Sequence, residues 1–395
     1  MGKLRTYLWG ARRLAGSGLL KLVMKRRSAA AKQKTAGLRI PNANKLASVM
    51  HPRRLRMVIT AITDCCPVMK VYRLEAADGR EIPYFIAGQY VPIFTEIDGG
   101  EIERPYAITS SPLEALHGYY EIAIKRAVGG YVSNYILDNW KVGDEVLIGA
   151  PLGTETYSPI RDRKDVVVLT GGSGVTPYHS MARAVADGTL DCNMTLIYGC
   201  NTINDIAFLD EWEHLKQVSG GRFKYVLIVA QEDMEGAERG FITREIIDKY
   251  CDIHNASVFI GGNPGLMKFL HEQLDPMNLE PRYLHWGLNS DAIPTVEGEE
   301  KEREFTLTVH IQGKTVRIPA KRGETVIRAL ERAKLSPAVS CRSGVCGFCR
   351  SYLISGDVEV VGPNSGQRKR DRELGFIHPC CTFPCSDLEI TVNKA

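Results

Sequence analysis

Four cysteines in the last quarter of the chain have the spacing of metal-cluster ligands. Cys341, Cys346 and Cys349 form a C-x4-C-x2-C loop, and Cys380 follows after thirty further residues. This spacing is typical of a plant-type [2Fe–2S] site, in which two irons bridged by two sulfides need four thiolates. Zinc, the alternative, usually takes two close ligand pairs. From spacing alone the fourth ligand stays open, because a second cysteine adjoins Cys380 and a third lies five residues on.

Two glycine-rich turns precede helical patterns, where backbone N–H groups can hold an anion. The apolar strand Val166–Thr170 leads into the turn GGSGVTP at 171–177, and a helical pattern follows. A strand, a tight glycine turn and a helix N-terminus form the cradle that binds the pyrophosphate of a dinucleotide. An earlier turn, GGYVS at 129–133, also follows a strand and precedes a predicted helix over Asn134–Asn139.

The segments around these motifs predict three domains. Residues 51–155 consist of short strands broken by turns, such as Leu55–Ile62, which is typical of an antiparallel barrel. Residues 156–287 alternate four apolar strands with helical patterns, which indicates a parallel sheet covered on both faces. After a polar linker at 288–304, residues 305–395 contain a hairpin, a helix, the cysteine loop and closing strands. The predicted fold class is multidomain α+β and α/β.

Residues 1–50 form a basic N-terminal arm outside these domains. Residues 1–63 contain fifteen Lys or Arg and no Asp or Glu, so with a net charge of +4 overall the remainder carries −11. Apolar residues recur in the arm at three- and four-residue steps, which favours a helix, although glycines weaken it. Three interpretations stay open. The arm is a partly ordered helix packed on its own protein or an unstructured tail, an amphipathic helix on an anionic membrane surface or acidic partner, or an organelle transit peptide.

The composition of the chain indicates the cellular compartment in which the protein is expected. We find no apolar run of about eighteen residues that could span a membrane, and basic residues interrupt the apolar positions of the N-terminus. Seven further cysteines, an odd number without regular spacing, do not suggest a disulfide framework, and a reducing cytosol is the simpler setting. We therefore expect a cytoplasmic protein, with surface association with a membrane as an alternative, and no nucleic-acid partner.

The motifs together resemble those of the ferredoxin–NADP reductase superfamily. Segment 104–111, RPYAITSS, is similar to the family's R-x-Y-S-x-x-S flavin motif; 129–133 matches its G-x-x-S phosphate loop, and 171–177 its G-G-T-G-I-T-P nucleotide turn. The domain order resembles that of the reductases of phthalate-dioxygenase-type oxygenases and of hybrid-cluster protein. This resemblance implies an antiparallel flavin-binding β-barrel, a parallel-sheet nucleotide-binding domain and a β-grasp ferredoxin domain.

The resemblance also implies roles for single residues. Arg104 would pair with the flavin phosphate, Tyr106 would stack on the isoalloxazine ring, and Ser110 or Ser111 would hydrogen-bond near it. Ala107 stands where the family has a serine that contacts flavin N5. Further cofactor-binding candidates are Gly130, Ser133, Gly171, Gly172, Gly174 and Thr176. Tyr106 and Thr176, which would lie near the flavin and nicotinamide rings, are the catalytic candidates.

Similarity to the end of plant-type ferredoxins, where the ligand stands four residues before a proline, selects Cys380 as the fourth cluster ligand. Two other positions depart from the superfamily. Asn201 stands where an arginine often grips the adenosine phosphate of NADP, which favours NADH over NADPH. Gly261 replaces a cysteine that helps place the nicotinamide against the flavin, which puts hydride transfer in doubt.

The predicted function is that of an NADH-dependent reductase with FAD (or FMN) and a [2Fe–2S] cluster, which passes single electrons to a partner oxygenase or reductase. A flavin accepts two electrons as hydride and releases them singly, and the cluster carries one. One alternative is an electron-transfer subunit that no longer uses pyridine nucleotide; another is a redox sensor. The acidic body favours an acceptor with a basic docking face.

Overall fold

The computed structural model describes residues 54–128, 130–287, 298–360 and 369–393, together with residues 52 and 296. The predicted basic arm lies outside the described residues. In the described part of the chain, no helix has both the length and the apolar character needed to cross a membrane.

Residues 55–148 form the predicted antiparallel barrel. Its strands and helices are β1 (Leu55–Cys66), β2 (Met69–Ala76), β3 (Tyr90–Ile97), β4 (Gly100–Ala107), α1 (Pro112–Leu116), β5 (Tyr119–Lys125), α2 (Val132–Asn139) and β6 (Glu145–Ile148). The strand order is β4-β3-β6-β1-β2-β5. A hydrogen bond of 2.7 Å from the Thr109 N–H to the Glu121 carbonyl joins the two edges and closes the barrel. Alternate residues such as Met57 and Ile59 are fully buried, as the two-residue period of a strand requires.

Residues 165–286 form a six-stranded parallel sheet. Its elements are β7 (Asp165–Gly171), α3 (Thr176–Asp187), β8 (Asn193–Cys200), α4 (Leu209–Val218), β9 (Phe223–Val229), β10 (Glu238–Arg239), α5 (Arg244–Tyr250), β11 (Ser257–Gly261), α6 (Pro264–Leu274) and β12 (Leu284–Trp286). The order is β10-β9-β8-β7-β11-β12. Apolar clusters around Trp212 and Leu270 cover the sheet. Sequence patterns miss β10 and β12, because two or three residues leave no readable periodicity.

Residues 304–392 form the predicted β-grasp domain. Its elements are β13 (Glu304–Ile311), β14 (Lys314–Lys321), α7 (Val326–Arg332), β15 (Ser351–Ser355), β16 (Val358–Val360), α8 (Lys369–Glu373), β17 (Phe376–Ile377), β18 (Thr382–Pro384) and β19 (Leu388–Val392). Five strands pair in the order β14-β13-β19-β15-β17, and β16 pairs with β18. Helix α7 buries Val326, Ile327 and Leu330 in the core, because residues three and four apart share one helix face.

The cysteine loop runs between α7 and β15, and the connections between domains are short. The barrel ends at Ile148, and the parallel sheet starts at Asp165 and ends at Trp286. The boundaries predicted after residues 155 and 287 fall between strands. The boundary predicted after residue 304 falls one residue inside β13.

Candidate functional site

A cavity of about 1000 Å³ lies where the three domains meet. The barrel contributes Tyr106 and Ala107, the nucleotide domain contributes Thr176, and the ferredoxin domain contributes Cys341 and Arg342. The fold therefore brings both predicted catalytic side chains and one predicted cluster ligand to the same space.

Strand β4 turns Arg104 and Tyr106 toward this cavity, because residues two apart on a strand share a face. The Arg104 guanidinium donates to Glu331 of α7, with Nη1 and Oε1 3.1 Å apart. Arg342 donates to the same carboxylate at 2.7 Å, and the side chains of Arg342 and Glu331 are only 5% and 6% exposed. One buried carboxylate shared by two guanidiniums thus joins the ferredoxin domain to the predicted flavin motif.

The N-terminus of α2 lies at the wall of this cavity. Gly130, Tyr131 and Ser133 line it, and no side chain caps the first turn of the helix. A Cβ on Gly130 would lie 2.6 Å from Ser133 Oγ, so glycine gives the hydroxyl room beside the loop. Free helix N–H groups, a hydroxyl and the nearby Arg104 fit the phosphate end of a flavin.

Ser110 does not line this cavity, contrary to the role expected from the resemblance. Its hydroxyl accepts a hydrogen bond of 3.0 Å from the Glu121 N–H, and its carbonyl accepts one of 2.6 Å from Ser180 Oγ. Ser111 caps α1 instead. Both serines follow the end of β4, where the chain turns away to close the barrel and pack against α3, so neither faces the ring of the proposed flavin.

Glu103, next to Arg104 on β4, is a partly buried carboxyl group. Burial raises the pKa of Glu103 to about 7, although the charges of Arg342 and Arg54 oppose this shift. Below about pH 7 the folded protein therefore favours the neutral acid. When folding raises the pKa of an acid, the charged form of that acid destabilises the folded protein. This destabilisation is absent at pH values below the pKa of the unfolded chain and reaches its full size above the pKa of the folded protein.

Replacing Glu103 by glutamine should therefore stabilise the protein above pH 7 and change little below pH 4.5, the ordinary pKa of a glutamate. We expect a gain on the order of 2 kcal/mol at about pH 8, since one unit of pKa shift corresponds to about 1.4 kcal/mol. Thermal midpoints across a pH series measure this. The control is Glu101→Gln, which removes a carboxylate paired with Arg54 at 2.5 Å and should give no gain. A pH-independent gain for Glu103→Gln would contradict the explanation.

The glycine turn after β7 packs tightly against the turn after β11. A Cβ on Gly174 would lie 2.7 Å from the backbone nitrogen of Gly262, and one on Gly171 would lie 2.6 Å from Leu266 Cδ2. Gly172 has a φ of +54°, in the left-handed region that glycine adopts readily. Position 174 therefore has no room for a side chain, and glycine suits the other two positions. Gly171 and Gly172 line a second cavity of about 400 Å³ at the carboxyl ends of the parallel strands, where open α/β sheets bind dinucleotides, whereas Gly174 borders the larger cavity.

Gly261 is explained by its neighbour Tyr178. A Cβ at position 261 would lie 2.9 Å from the ring and the hydroxyl of Tyr178, which is fully buried. The Tyr178 hydroxyl donates to Glu155, and both side chains border the larger cavity beside Thr176. Thr176 itself donates to the Ser173 carbonyl at 3.0 Å. Tyr178 fills the space of the superfamily's cysteine, so the glycine meets a packing requirement and is no sign of a degraded site.

The four predicted cluster ligands lie together in two pairs. Cys349 Sγ and Cys380 Sγ are 3.4 Å apart, and the thiols of Cys341 and Cys346 form a hydrogen bond that lowers the pKa of Cys341 to about 5. The Gly344 N–H donates to Cys380 Sγ at 3.2 Å. Two pairs of thiols fit two irons with two protein ligands each.

Geometry separates Cys380 from the other two cysteines nearby. The Cys381 thiol donates to the His378 carbonyl at 3.4 Å, and Cys385 is half-buried beside Asp357, whose carbonyl accepts its N–H at 2.9 Å. Cys380 is thus the one whose sulfur pairs with the cysteine loop.

Four residues that connect the flavin motif to the cysteine loop escaped the sequence analysis. The hydroxyls of Tyr90, in the cavity wall, and Ser340, next to Cys341, lie 3.3 Å apart. Glu331 and Arg342 form the ion pair described above. The position of Arg342 inside the cysteine loop was a usable signal, whereas Glu331 has the pattern of an ordinary charged helix residue.

Three domains meet at one cavity. They are a barrel whose helix N-terminus can bind a phosphate, a parallel sheet of the kind that binds dinucleotides, and a β-grasp domain with paired thiols. These features define a class: flavin- and nicotinamide-dependent reductases with a fused iron–sulfur domain. Comparison with known proteins agrees. Three family models match the chain: an oxidoreductase FAD-binding domain over residues 56–157, an oxidoreductase NAD-binding domain over 168–272 and a 2Fe-2S iron-sulfur cluster binding domain over 309–385.

Similar proteins share this arrangement. The glycine betaine monooxygenase reductase subunit of Chromohalobacter salexigens is 28% identical over 80% of this chain and 89% of its own length. The ferredoxin reductase component of a 3-ketosteroid-9-alpha-monooxygenase from Mycobacterium tuberculosis is 27% identical over 81% and 90%. Among solved structures, phthalate dioxygenase reductase has the same fold, with a TM-score of 0.63 and 22% identity over 86% of this chain and 98% of that one.

The chain belongs to the ferredoxin–NADP reductase superfamily, in the group with a C-terminal plant-type ferredoxin domain. It is an NAD(P)H-dependent oxidoreductase, and its domains are those that bind FAD, a nicotinamide nucleotide and a [2Fe–2S] cluster. The alternative of a subunit that no longer uses pyridine nucleotide is not favoured, because an NAD-binding domain is matched and its glycine turn is intact.

Proposed function

We propose that this chain takes hydride from NADH and passes the electrons one at a time to a separate oxygenase. The observation that supports this most strongly is the single cavity that Tyr106, Thr176 and Arg342 line from three domains. The relatives named above are reductase components of monooxygenases, which favours an oxygenase as the acceptor. FAD, when bound, supplies the conversion of a two-electron hydride into single electrons.

In this proposal the residues of the cavity have distinct tasks. Ser133 and the N-terminus of α2 hold the flavin phosphate with Arg104, and Tyr106 packs against the ring system. Thr176 and the buried Tyr178 border the place of the nicotinamide. Cys341, Cys346, Cys349 and Cys380 hold the two irons. Because Arg342 and Cys341 border the cavity too, the flavin and cluster sites are neighbours.

The loop after β8 supports a preference for NADH. It starts at Asn201, contains no Lys or Arg up to Asp205, and lies against the smaller cavity. Asp205 pairs with Lys125 at 2.9 Å, and Glu232 accepts the Ile203 N–H at 2.7 Å. Two carboxylates therefore fix the loop, and no arginine there is available to pair with the additional phosphate of NADPH.

We expect kcat/KM for NADH to exceed that for NADPH by at least about tenfold, the effect of one charge-assisted contact worth about 1.4 kcal/mol. Asn201→Arg should raise kcat/KM for NADPH by a similar factor and leave the flavin spectrum unchanged. Asn201→Gln, which adds no charge, serves as the control. Equal use of both nucleotides by the unmodified protein would contradict the proposed preference.

Anaerobic rapid mixing tests the proposed function itself. NADH should bleach the flavin absorption within seconds and then reduce the cluster, and turnover should reduce cytochrome c. A protein that contains FAD and the cluster but whose flavin stays oxidised with both NADH and NADPH would refute the proposal.

We also propose that the basic arm contacts an anionic surface, because it has a large excess of basic residues. Co-sedimentation with anionic lipid vesicles, with and without residues 1–50, measures this.

A further inference from the structure

We propose that the electron acceptor docks on the outer side of the cysteine loop and presents an acidic surface to it. This inference rests on the proposed function and adds the place and the charge of the partner. It starts from the loop itself, whose residues divide between two sides.

The inner side of the loop faces the flavin cavity. Cys341 and Arg342 line that cavity and are buried, and Arg342 is held there by Glu331. The outer side carries Val345 and Phe348, which are 41% and 57% exposed. Val345 and Phe348 each adjoin a predicted cluster ligand, Cys346 or Cys349, so an acceptor that contacts them comes close to the thiols.

Contacts connect the side chains that follow the loop in the chain. Arg350 follows Cys349, and its guanidinium lies 4.4 Å from the centre of the Phe376 ring. Tyr352 meets the other side of that contact, with its ring centre 5.5 Å from that of Phe376. Arg350 also donates to Asp371 of α8 at 3.2 Å, which brings α8 to the loop. We call this patch the outer face; its exposed members are Val345, Phe348, Arg350, Tyr352, Arg370, Arg372 and Leu374.

The outer face combines four exposed apolar or aromatic side chains with three arginines, and aromatic residues and arginine are common in protein interfaces. Its two nearby carboxylates are already engaged: Asp371 is buried between Arg350 and His378, and Glu373 pairs with Arg370 at 3.1 Å. Arg372 is exposed on the same short helix.

The ferredoxin domain as a whole has a positive net charge, like the outer face. Residues 305–395 contain fourteen Lys or Arg and eight Asp or Glu, a net charge of +6, whereas residues 64–304 contain twenty-one and thirty-eight, a net charge of −17. The acidity of the body, which suggested a basic acceptor, thus belongs to the flavin and nucleotide domains and the linker. A basic acceptor would be drawn to those domains, away from the thiols, while an acidic acceptor would be steered to the ferredoxin domain.

The transfer at this face moves one electron and no atoms. The cluster that the four cysteines would hold would supply one electron, and a ferric haem acceptor would become ferrous. No bond forms or breaks and no proton moves. NADH, through the established reductase activity, is the source of the electron.

The test uses two haem proteins of opposite charge, acidic cytochrome b5 and basic cytochrome c, with the full-length loaded protein. The rate constant for reduction of cytochrome b5 should fall steeply as salt is added. The double variant Arg370→Glu/Arg372→Glu should slow that reaction about tenfold at low salt. The matched control, Lys314→Glu/Arg317→Glu, makes the same charge change on β14, the opposite edge of the same sheet, and should stay within about twofold of the unmodified protein.

A second readout does not depend on turnover. Fluorescence anisotropy of dye-labelled cytochrome b5 should show salt-sensitive binding to the oxidised protein, weakened about tenfold by the α8 variant and little by the β14 variant. Equal losses in both variants, or none, would overturn the inference. Flavin bleaching by NADH is measured in the same samples: if it fails in the unmodified protein, the proposed function fails, whereas bleaching with no effect of the α8 variant refutes the docking face alone.

Discussion

Cys380→Ala should remove the iron–sulfur centre and leave the flavin in place. Even the hydrogen-bonding partners of metal ligands change metal affinity 10- to 100-fold, so loss of a ligand should weaken cluster binding by at least about 100-fold, and reduction of cytochrome c should fall with the cluster content. The reason is geometric: Cys380 Sγ lies 3.4 Å from Cys349 Sγ and accepts the Gly344 N–H, so its loss leaves one iron with a single protein ligand. The iron content, the visible spectrum and the paramagnetic signal after dithionite measure this directly.

Two matched variants separate Cys380 from its neighbours. Cys381→Ala and Cys385→Ala each remove a thiol within five residues, yet both should retain the iron and the paramagnetic signal. Reduction of ferricyanide by NADH, which needs only the flavin, should stay near the unmodified rate in all three. If Cys380→Ala kept the cluster and Cys381→Ala lost it, the assignment of the fourth ligand would be wrong.

Glu331→Gln should have the second large effect, on stability and on transfer between domains. Burial raises the pKa of the Glu331 carboxyl, but the charges and hydrogen bonds of Arg342 and Arg104 outweigh burial and hold that pKa below its ordinary value. Glutamine would leave two guanidiniums facing each other without an anion. Breaking a buried ion pair in this way destabilises a protein by about 3–5 kcal/mol.

Thermal unfolding and the ratio of cytochrome c to ferricyanide reduction measure the two effects of Glu331→Gln. The ratio should fall, because the ferredoxin domain loses its attachment to the flavin motif. An acid with a lowered pKa stabilises the fold above its unfolded pKa, so the difference from the unmodified protein should shrink as the pH falls below 4.5. Glu302→Gln breaks the exposed pair with Lys321 and should lose less than about 1 kcal/mol. Equal effects of the two variants would argue against the bridge.

The parts of the fold that sequence could predict are those with strong local patterns. Val166–Leu169 is apolar throughout and a glycine turn follows Thr170, so strand β7 and the turn after it could be predicted. Strand β12 was not, because three residues give no periodicity and its pairing with β11 is set by the rest of the sheet. The four cysteines could be predicted as cluster ligands because such ligands recur at fixed spacings.

Contacts between distant segments were beyond sequence reasoning. Glu331 and Arg104 are separated by 227 residues, and no local pattern marks a charge whose partner is in another domain. Ser110 illustrates the opposite error, since a serine in the right motif was used for barrel closure. The Gly261–Tyr178 contact explains a departure that looked like loss of function, because the tyrosine and the missing cysteine compete for one space.

A reductive titration with NADH under anaerobic conditions tests the central claim most directly: one chain has both a two-electron and a one-electron carrier. The protein, prepared with iron and FAD, should take up about three electrons per chain, two at the flavin and one at the cluster. Each added NADH should bleach the flavin, and a [2Fe–2S] paramagnetic signal of about one spin per chain should appear. Uptake of two electrons with no such signal, or of none, would contradict this account.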